Sequence, residues 1–455
     1  MSAKEKYLPI LRSANGIDLY SPALEMLELH SNMVGQELII QNTTALVTGP
    51  TLLCYVLWLL GQAQSQQIET LYFLSRDGYV PLKIAQILCN AWGLPIQCKY
   101  LYCSRRVLRL PLYAADRDYF MRKLMDCSAF LNIVEILEQA GIGSSEALEL
   151  SRELGLDPDA RIHPAEMDAL RKLLDTSEKF HTLALPASQS ALEITGRYFE
   201  QECVGKTSFA LVDVGWMGSM QEGFQRIWNH YTGQPNPMTG FYFGLTREKK
   251  EARNAFHAFY FSPHYHWRRF ISFSINLLEC LCSADHGMTI GYALQDEKVV
   301  PVMKSFETRW PVDLQIETCI AYTKAFLVHN SAEILQADRL DRTVYGLLKR
   351  FMHTPSLEEA EVYGSFPFSD NPLESRVQTL VTPITPAQYK LETFTGRVKA
   401  KLRLTHPDTS STEWPFWSQG AIVVSGRKRS AFNRLNEWIL KEYLTAKVYR
   451  QRKNN

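Results

Sequence analysis

The chain has almost no excess of either charge: 49 Lys and Arg stand against 48 Asp and Glu, a net of +1. That balance excludes a bulk nucleic-acid binder, so any basic site has to be local. Paired cysteines are missing too. The nine Cys are scattered, and the closest pair, Cys280 and Cys282, misses the C-x2-C spacing of a zinc site. Free thiols in a reducing cytoplasm are the expectation. The opening MSAKEKYLPILRS has no apolar leader. The most apolar stretch, ALVTGPTLLCYVLWLLG (45–61), is shorter than the roughly 20 residues of a spanning helix, and Gly49-Pro50 interrupts it. Because proline suits the first turn of a helix, Thr51–Gln64 is predicted to be a buried core helix, and the protein cytoplasmic. Internal repeats and low-complexity runs are absent.

What is present is a 455-residue chain, 46% hydrophobic and 21% charged, enough for a large core. Apolar runs alternate as helix 51–64, strand 70–75, helix 79–92 and strand 97–103. The alternation resumes with strand 209–213, helix 219–230 and strand 238–245. This predicts an α/β protein with a Rossmann-like, mainly parallel sheet. Residues 1–115 and 201–310 would form the two parts of that core. Residues 116–200, with apolar residues at helical spacing, would be a helical insertion. A hairpin is expected around Gln295–Lys298. Residues 311–455 should be mostly helical, with Pro/Ser/Thr-rich stretches at 364–389 and 409–420 and a basic tail at 427–453.

Two strand–loop–helix junctions carry the functional content. In LYFLSRDGYVPL (71–82), Arg76 can pair with a phosphate, and Ser75 and the Gly78 amide can add hydrogen bonds. Asp77 is a general-base or magnesium candidate. In FALVDVGWMGSMQEGF (209–224), Asp213 ends the strand, where α/β proteins meet their ligands. The amides of Gly215, Trp216, Gly218, Ser219 and Met220 could cradle a phosphate at the helix start. The alternative is an ordinary capped turn. A third strand end supplies Ser104, Arg105, Arg106 and Arg109, suited to a diphosphate unless they pair with the acidic insertion. Glu279 sits on an apolar helical stretch, where a carboxylate is costly. It reads as a base with a raised pKa or as a partner of Arg268 or Arg269. His286 in Ala-Asp-His-Gly is a further candidate for a base or phosphate contact, the alternative being a plain loop residue. His264 and His266 lack the nearby acids a metal site would want, and the aromatic stretch 256–270 reads as core packing, with stacking on sugar rings the alternative.

The order of these strand ends is similar to that of phosphoribosyltransferases, where a pyrophosphate loop, a basic strand end and an acid before a 5-phosphate loop follow one another. The usual loop has two adjacent acids and Thr-Gly-Gly-Thr; here it reads Asp213-Val214 and then Gly215-Trp216-Met217-Gly218-Ser219. The stretch 45–110, the run VDVGWMGSMQ and NLLECLCSADHGMTIGYALQDEKVVPV (276–302) resemble a more specific family. This is the second half of the two-domain bacterial ribofuranosyltransferases of surface-polysaccharide gene clusters, over roughly 40–305.

The resemblance implies transfer of 5-phosphoribose from phosphoribosyl diphosphate to a glycan hydroxyl with inversion. It also implies magnesium with the donor, a lipid-linked glycan acceptor, and removal of the 5-phosphate by a phosphatase. Relatives carry a haloacid-dehalogenase-type phosphatase ahead of the transferase. This chain has too few residues there, so a separate phosphatase is expected. On this reading Arg76, Arg105 and Arg106 hold the diphosphate, Asp213 the ribose hydroxyls or magnesium, and the 215–219 loop the 5-phosphate. Asp77 is the first choice for base and Glu279 the second. The basic tail would touch an anionic membrane face. The alternatives are a haloacid-dehalogenase-type sugar-phosphate phosphatase and a non-catalytic scaffold of a polysaccharide assembly complex.

Overall fold

The computed structural model describes residues 2–454 except Asn15, Cys203 and the segments 30–32, 126–130, 164–165, 248–254, 306–309, 337–339, 370–376, 403–413 and 427–430. Helices α1 (Ala3–Arg12), α2 (Tyr20–Leu29), α3 (Gly35–Thr43) and α4 (Gly49–Ser65) lead into strand β1 (Thr70–Leu74), helix α5 (Tyr79–Trp92) and strand β2 (Gln97–Leu101). A π-helical turn, Thr44–Thr48, joins α3 to α4. The helix expected at 51–64 therefore begins much earlier, and Pro50 lies inside it. There the Gly49 amide bonds to the Thr44 carbonyl, shifting the ladder by one residue just before the proline that cannot donate. Gly35–Ser65 is the one helix among the described residues long and apolar enough to cross a membrane, and 89% of its most apolar window is buried inside the protein.

Helices α6 (Arg105–Ala115), α7 (Arg117–Met125), α8 (Ile133–Glu138), α9 (Ser144–Glu153), α10 (Met167–Asp175) and α11 (Glu178–Gln201) separate β2 from strand β3 (Phe209–Trp216). After β3 come α12 (Ser219–Thr232), β4 (Thr239–Leu245), β5 (Phe256–Phe261) and α13 (Ile275–Leu281). Then follow the hairpin of β6 (Thr289–Gln295) and β7 (Lys298–Met303), and helices α14 (Val312–His329), α15 (Leu340–Leu348) and α16 (Leu357–Gly364). A two-residue ladder of β8 (Pro367–Phe368) and β9 (Gln378–Thr379) precedes α17 (Pro386–Leu391), α18 (Phe394–Lys401), α19 (Ser418–Val424) and α20 (Ala431–Asn454). Asp296 and Glu297, both at positive φ, form the hairpin turn at the expected place.

Five strands form one sheet in the order β2-β1-β3-β4-β5, every pair parallel. Such strands, covered on both faces, read as continuous apolar runs, and β1 is buried at all five positions. Leu71 and Phe73 face a core shared with the N-terminal helices, α5 and the helices after residue 311. Tyr72 and Leu74 face a second core with α6, α11 and α12. The strand at 256–261, read from sequence as packing aromatics, completes the sheet edge. Strand order reverses between β1 and β3, which places the ligand crevice at their C-terminal ends.

Candidate functional site

A cleft of about 480 Å³ opens at that crevice, within the range of small-molecule sites. Its walls include Ser75, Arg76, Asp77, Ser104, Arg105, Arg106, Asp213, Gly215, Trp216, Ser219, Met220, Glu279 and His286. Residues spread over two hundred positions thus meet in one place. Gly78 and Gly218, also expected at the site, are buried behind it.

The two junctions differ in what they offer. At the first, the Gly78 amide donates to Leu74 O at 2.9 Å and the Tyr79 amide to Arg76 O at 3.0 Å. The turn consumes its own N–H groups, so the Gly78 amide is not a phosphate ligand. This junction contributes side chains, Arg76 and Asp77. Ser75 is tied as well: its Oγ donates to Cys103 O (2.7 Å) and accepts from the Cys103 amide (3.2 Å), joining the ends of β1 and β2. At the second junction, α12 starts without a side-chain cap. Its first-turn amides, beside the cleft-lining Ser219 and Met220, have no intrahelical acceptor and suit an anion. Gly215 at φ +150 lies where a Cβ would meet Gly244 O at 2.3 Å, so only glycine fits.

The strand expected to run to residue 103 ends at Leu101, and the arginines after it belong to a helix. Ser104 is the cap of α6: its Oγ accepts from the Val107 amide (3.1 Å) and donates to Thr289 O (2.7 Å). Its hydroxyl is therefore engaged. Arg105 and Arg106, exposed in the first turn, add charge to the positive end of the helix dipole. That placement costs stability, about 0.3–1 kcal/mol per charge, and sets two guanidinium groups on the cleft wall. Arg109 is not on the cleft wall.

Three acids meet at the cleft floor and feel one another. Asp213, 9% exposed, is pushed up to about 8, first by burial and then by the Asp77 charge, against hydrogen bonds from the Gly215 and Val214 amides. Glu279 is pushed up to about 7 by burial and Asp77, opposed by a hydrogen bond from Trp216 and by Arg105 and Arg76. Burial raises Asp77 as well, while Arg76 and Arg105 hold it down. Such an arrangement keeps part of the acid set protonated near neutrality, leaving one group able to donate while another accepts.

Trp216 Nε1 donates to Glu279 Oε1 at 2.8 Å, and its ring packs on Phe261 and Phe273. The partner of Glu279 is thus an indole. Arg268 instead approaches Glu442 (3.7 Å) and Arg269 pairs with Asp341 (2.5 Å), which His266 also approaches (3.7 Å). His286 lines the cleft with both nitrogens engaged. Its Nδ1–H donates to Gly287 O (2.9 Å), which leaves Nε2 to accept from the Tyr100 hydroxyl (2.8 Å). That removes it as a free base or phosphate contact.

The other wall was not foreseen from sequence. It comes from Lys304, Trp310, Pro367, Phe368, Ser369 and Val377. Among the described residues, Trp310 Nε1 and Ser369 Oγ are buried there without a hydrogen-bond partner. No local pattern joins these residues to the sheet; only the return of the C-terminal region across it does.

Among the described residues, no three His, Cys, Asp or Glu stand together as a metal-binding group. Seven described cysteines are free, and burial raises the thiols of Cys103, Cys280 and Cys282, which disfavours their thiolate forms. No model of a known protein family matches the chain, and no curated protein matches it.

Proposed function

We propose that this protein is a glycan phosphoribosyltransferase, moving 5-phosphoribofuranose from phosphoribosyl diphosphate to a glycan acceptor in surface-polysaccharide assembly. The observation that carries the reading is one cleft with arginines on one flank, uncapped helix amides on another and three mutually repelling acids between. A ribose with phosphates at both ends asks for those three groups in that order. Arg76, Arg105 and Arg106 take the diphosphate, the start of α12 takes the 5-phosphate, and Asp213 faces the ribose hydroxyls.

In the reaction the acceptor oxygen bonds to the anomeric carbon as the bond to pyrophosphate breaks. The hydroxyl proton passes to an ionised carboxylate, Asp77 or Glu279, and the arginines hold the charge that develops on pyrophosphate. Magnesium would arrive on the diphosphate and take one carboxylate, Asp77 or Asp213, which suits an ion that keeps most of its water. It would supply further charge neutralisation on the leaving group. The acceptor sugar lies against Trp310 and Phe368, where the Trp310 N–H and the Ser369 hydroxyl offer hydrogen bonds to its hydroxyls. The 5-phosphate stays on the product, so its removal would take a phosphatase step.

Hydrolysis by a haloacid-dehalogenase route needs a second acid two residues after the nucleophile, and that position is Gly215. The test is to incubate the pure protein with phosphoribosyl diphosphate and glycan acceptors, reading products by mass spectrometry. A phosphate-bearing adduct is expected. Free phosphate alone would move the assignment to a phosphatase, and calorimetry without donor binding would move it to a scaffold.

A further inference from the structure

Helix α20 is turned inside out. A helix packed on a soluble body buries its apolar stripe and exposes its polar one. The buried side of α20 instead includes Asn436, Glu437 and Thr445 beside Leu440. Glu437 accepts a hydrogen bond from Tyr389 at 2.7 Å, and Trp267 Nε1 donates to Thr445 O at 3.1 Å. The outward side carries Phe432, Leu435, Trp438 and Tyr443 at 66, 53, 48 and 53% exposure. Phe432, Leu435, Ile439 and Tyr443 fall on one stripe by helical spacing, with Trp438 at its margin. Helix α18 lies alongside, the Phe394 and Tyr443 rings 6.0 Å apart. Val398 on it and Leu402 just past its end are 40 and 64% exposed.

Both helices are also rich in basic residues. The α20 sequence has six Lys or Arg against two acids, and α18 has Arg397, Lys399 and Lys401 with no acid. Lys399, Lys401 and Arg434 are exposed. Protein–protein interfaces deplete lysine at their centre. Aromatic and aliphatic side chains set among lysines and arginines fit the boundary between anionic headgroups and acyl chains.

We propose that α18 and α20 together dock the protein on an anionic phospholipid surface, the apolar residues entering the headgroup boundary and the basic ones pairing with lipid phosphates. The inference does not depend on the reaction at the cleft. Flotation of the full-length protein with vesicles tests it. Binding is expected to vesicles of roughly one-third phosphatidylglycerol at about 0.15 M salt, and not to pure phosphatidylcholine. The variant Phe432→Ser/Leu435→Ser/Trp438→Ser should lose about tenfold or more of that binding with an unchanged circular dichroism spectrum. A second variant, Lys399→Glu/Lys401→Glu/Arg434→Glu, leaves every apolar residue in place and should lose the preference for anionic lipid. Wild-type protein that floats with neither vesicle overturns the proposal. So does a triple-serine variant that binds like wild type, or self-association of wild type that this variant abolishes without any lipid binding.

Discussion

Replacing Asp213 by Asn should stabilise the protein at pH 8 while removing its activity. In the folded state Asp213 is pushed up to about 8 from an ordinary 3.8, by burial and then by Asp77. Between those two pH values the native state keeps a proton that the unfolded chain has released. The native state binds more protons, so stability falls as pH rises through the window. At about 1.36 kcal/mol per pH unit, the full window is worth on the order of 6 kcal/mol, and the span from pH 5.5 to 8 about 3 kcal/mol. Asn resembles the protonated acid in shape and cannot ionise, so the variant escapes this loss. For a chain of this length, 1 kcal/mol moves the melting temperature by about 1 °C. The gap between variant and wild type should therefore widen by about 3 °C between pH 5.5 and pH 8 in parallel thermal melts. Curves that stay parallel to within about 1 °C would show that the site tolerates an ionised Asp213, and the acid-cluster reasoning would fall.

Trp216→Phe removes the N–H that favours ionised Glu279. The Glu279 pKa should rise by about one unit, carrying the acidic limb of the pH–rate profile to higher pH while the alkaline limb stays in place; an unmoved profile would exclude Glu279 as the base. Arg105→Ala should weaken pyrophosphate binding about tenfold or more by calorimetry, with little change in melting temperature. Trp310→Ala should raise the KM for the glycan acceptor about tenfold and leave donor binding alone; a loss confined to donor binding would place the acceptor elsewhere. Glu359→Ala strands the buried Lys6, whose Nζ lies 2.5 Å from Glu359 Oε2, and should cost about 3–5 kcal/mol in chemical denaturation.

The sheet was legible in the sequence because parallel strands leave long apolar runs with loops at their ends. The three acids stood out for different reasons: Asp77 and Asp213 close strand–loop–helix junctions, where α/β proteins meet their ligands, and Glu279 sits on an apolar helical stretch, where an unpaired charge is expensive. What sequence did not reveal was how local hydrogen bonds are used. Gly78 looked like an amide donor, but its own turn takes the N–H. Ser75 and Ser104 looked like phosphate ligands, but their hydroxyls hold backbone together. Trp310, Phe368 and Ser369 carried no local sign, since their place depends on how α14 and the helices after it return to the sheet. The reach of the Gly35–Ser65 helix was also hidden, because the π-helical turn that carries the chain past Pro50 has no sequence signature of its own.

Strand β1 has a consequence for how the chain folds. Thr70 pairs with Gln97 on one side and with Phe209 on the other. The second loop is roughly five times longer, and closing it costs about 1.4 kcal/mol more chain entropy. On a ribosome, β1 and β2 can meet while the partner for the other edge of β1 is not yet made. During that interval the inner edge of an entirely buried strand stays open to any passing strand. The intervening helices, by drawing in the ends of the long loop, would shorten that exposure. Sequence changes in them could then alter refolding yield and aggregation without touching the cleft.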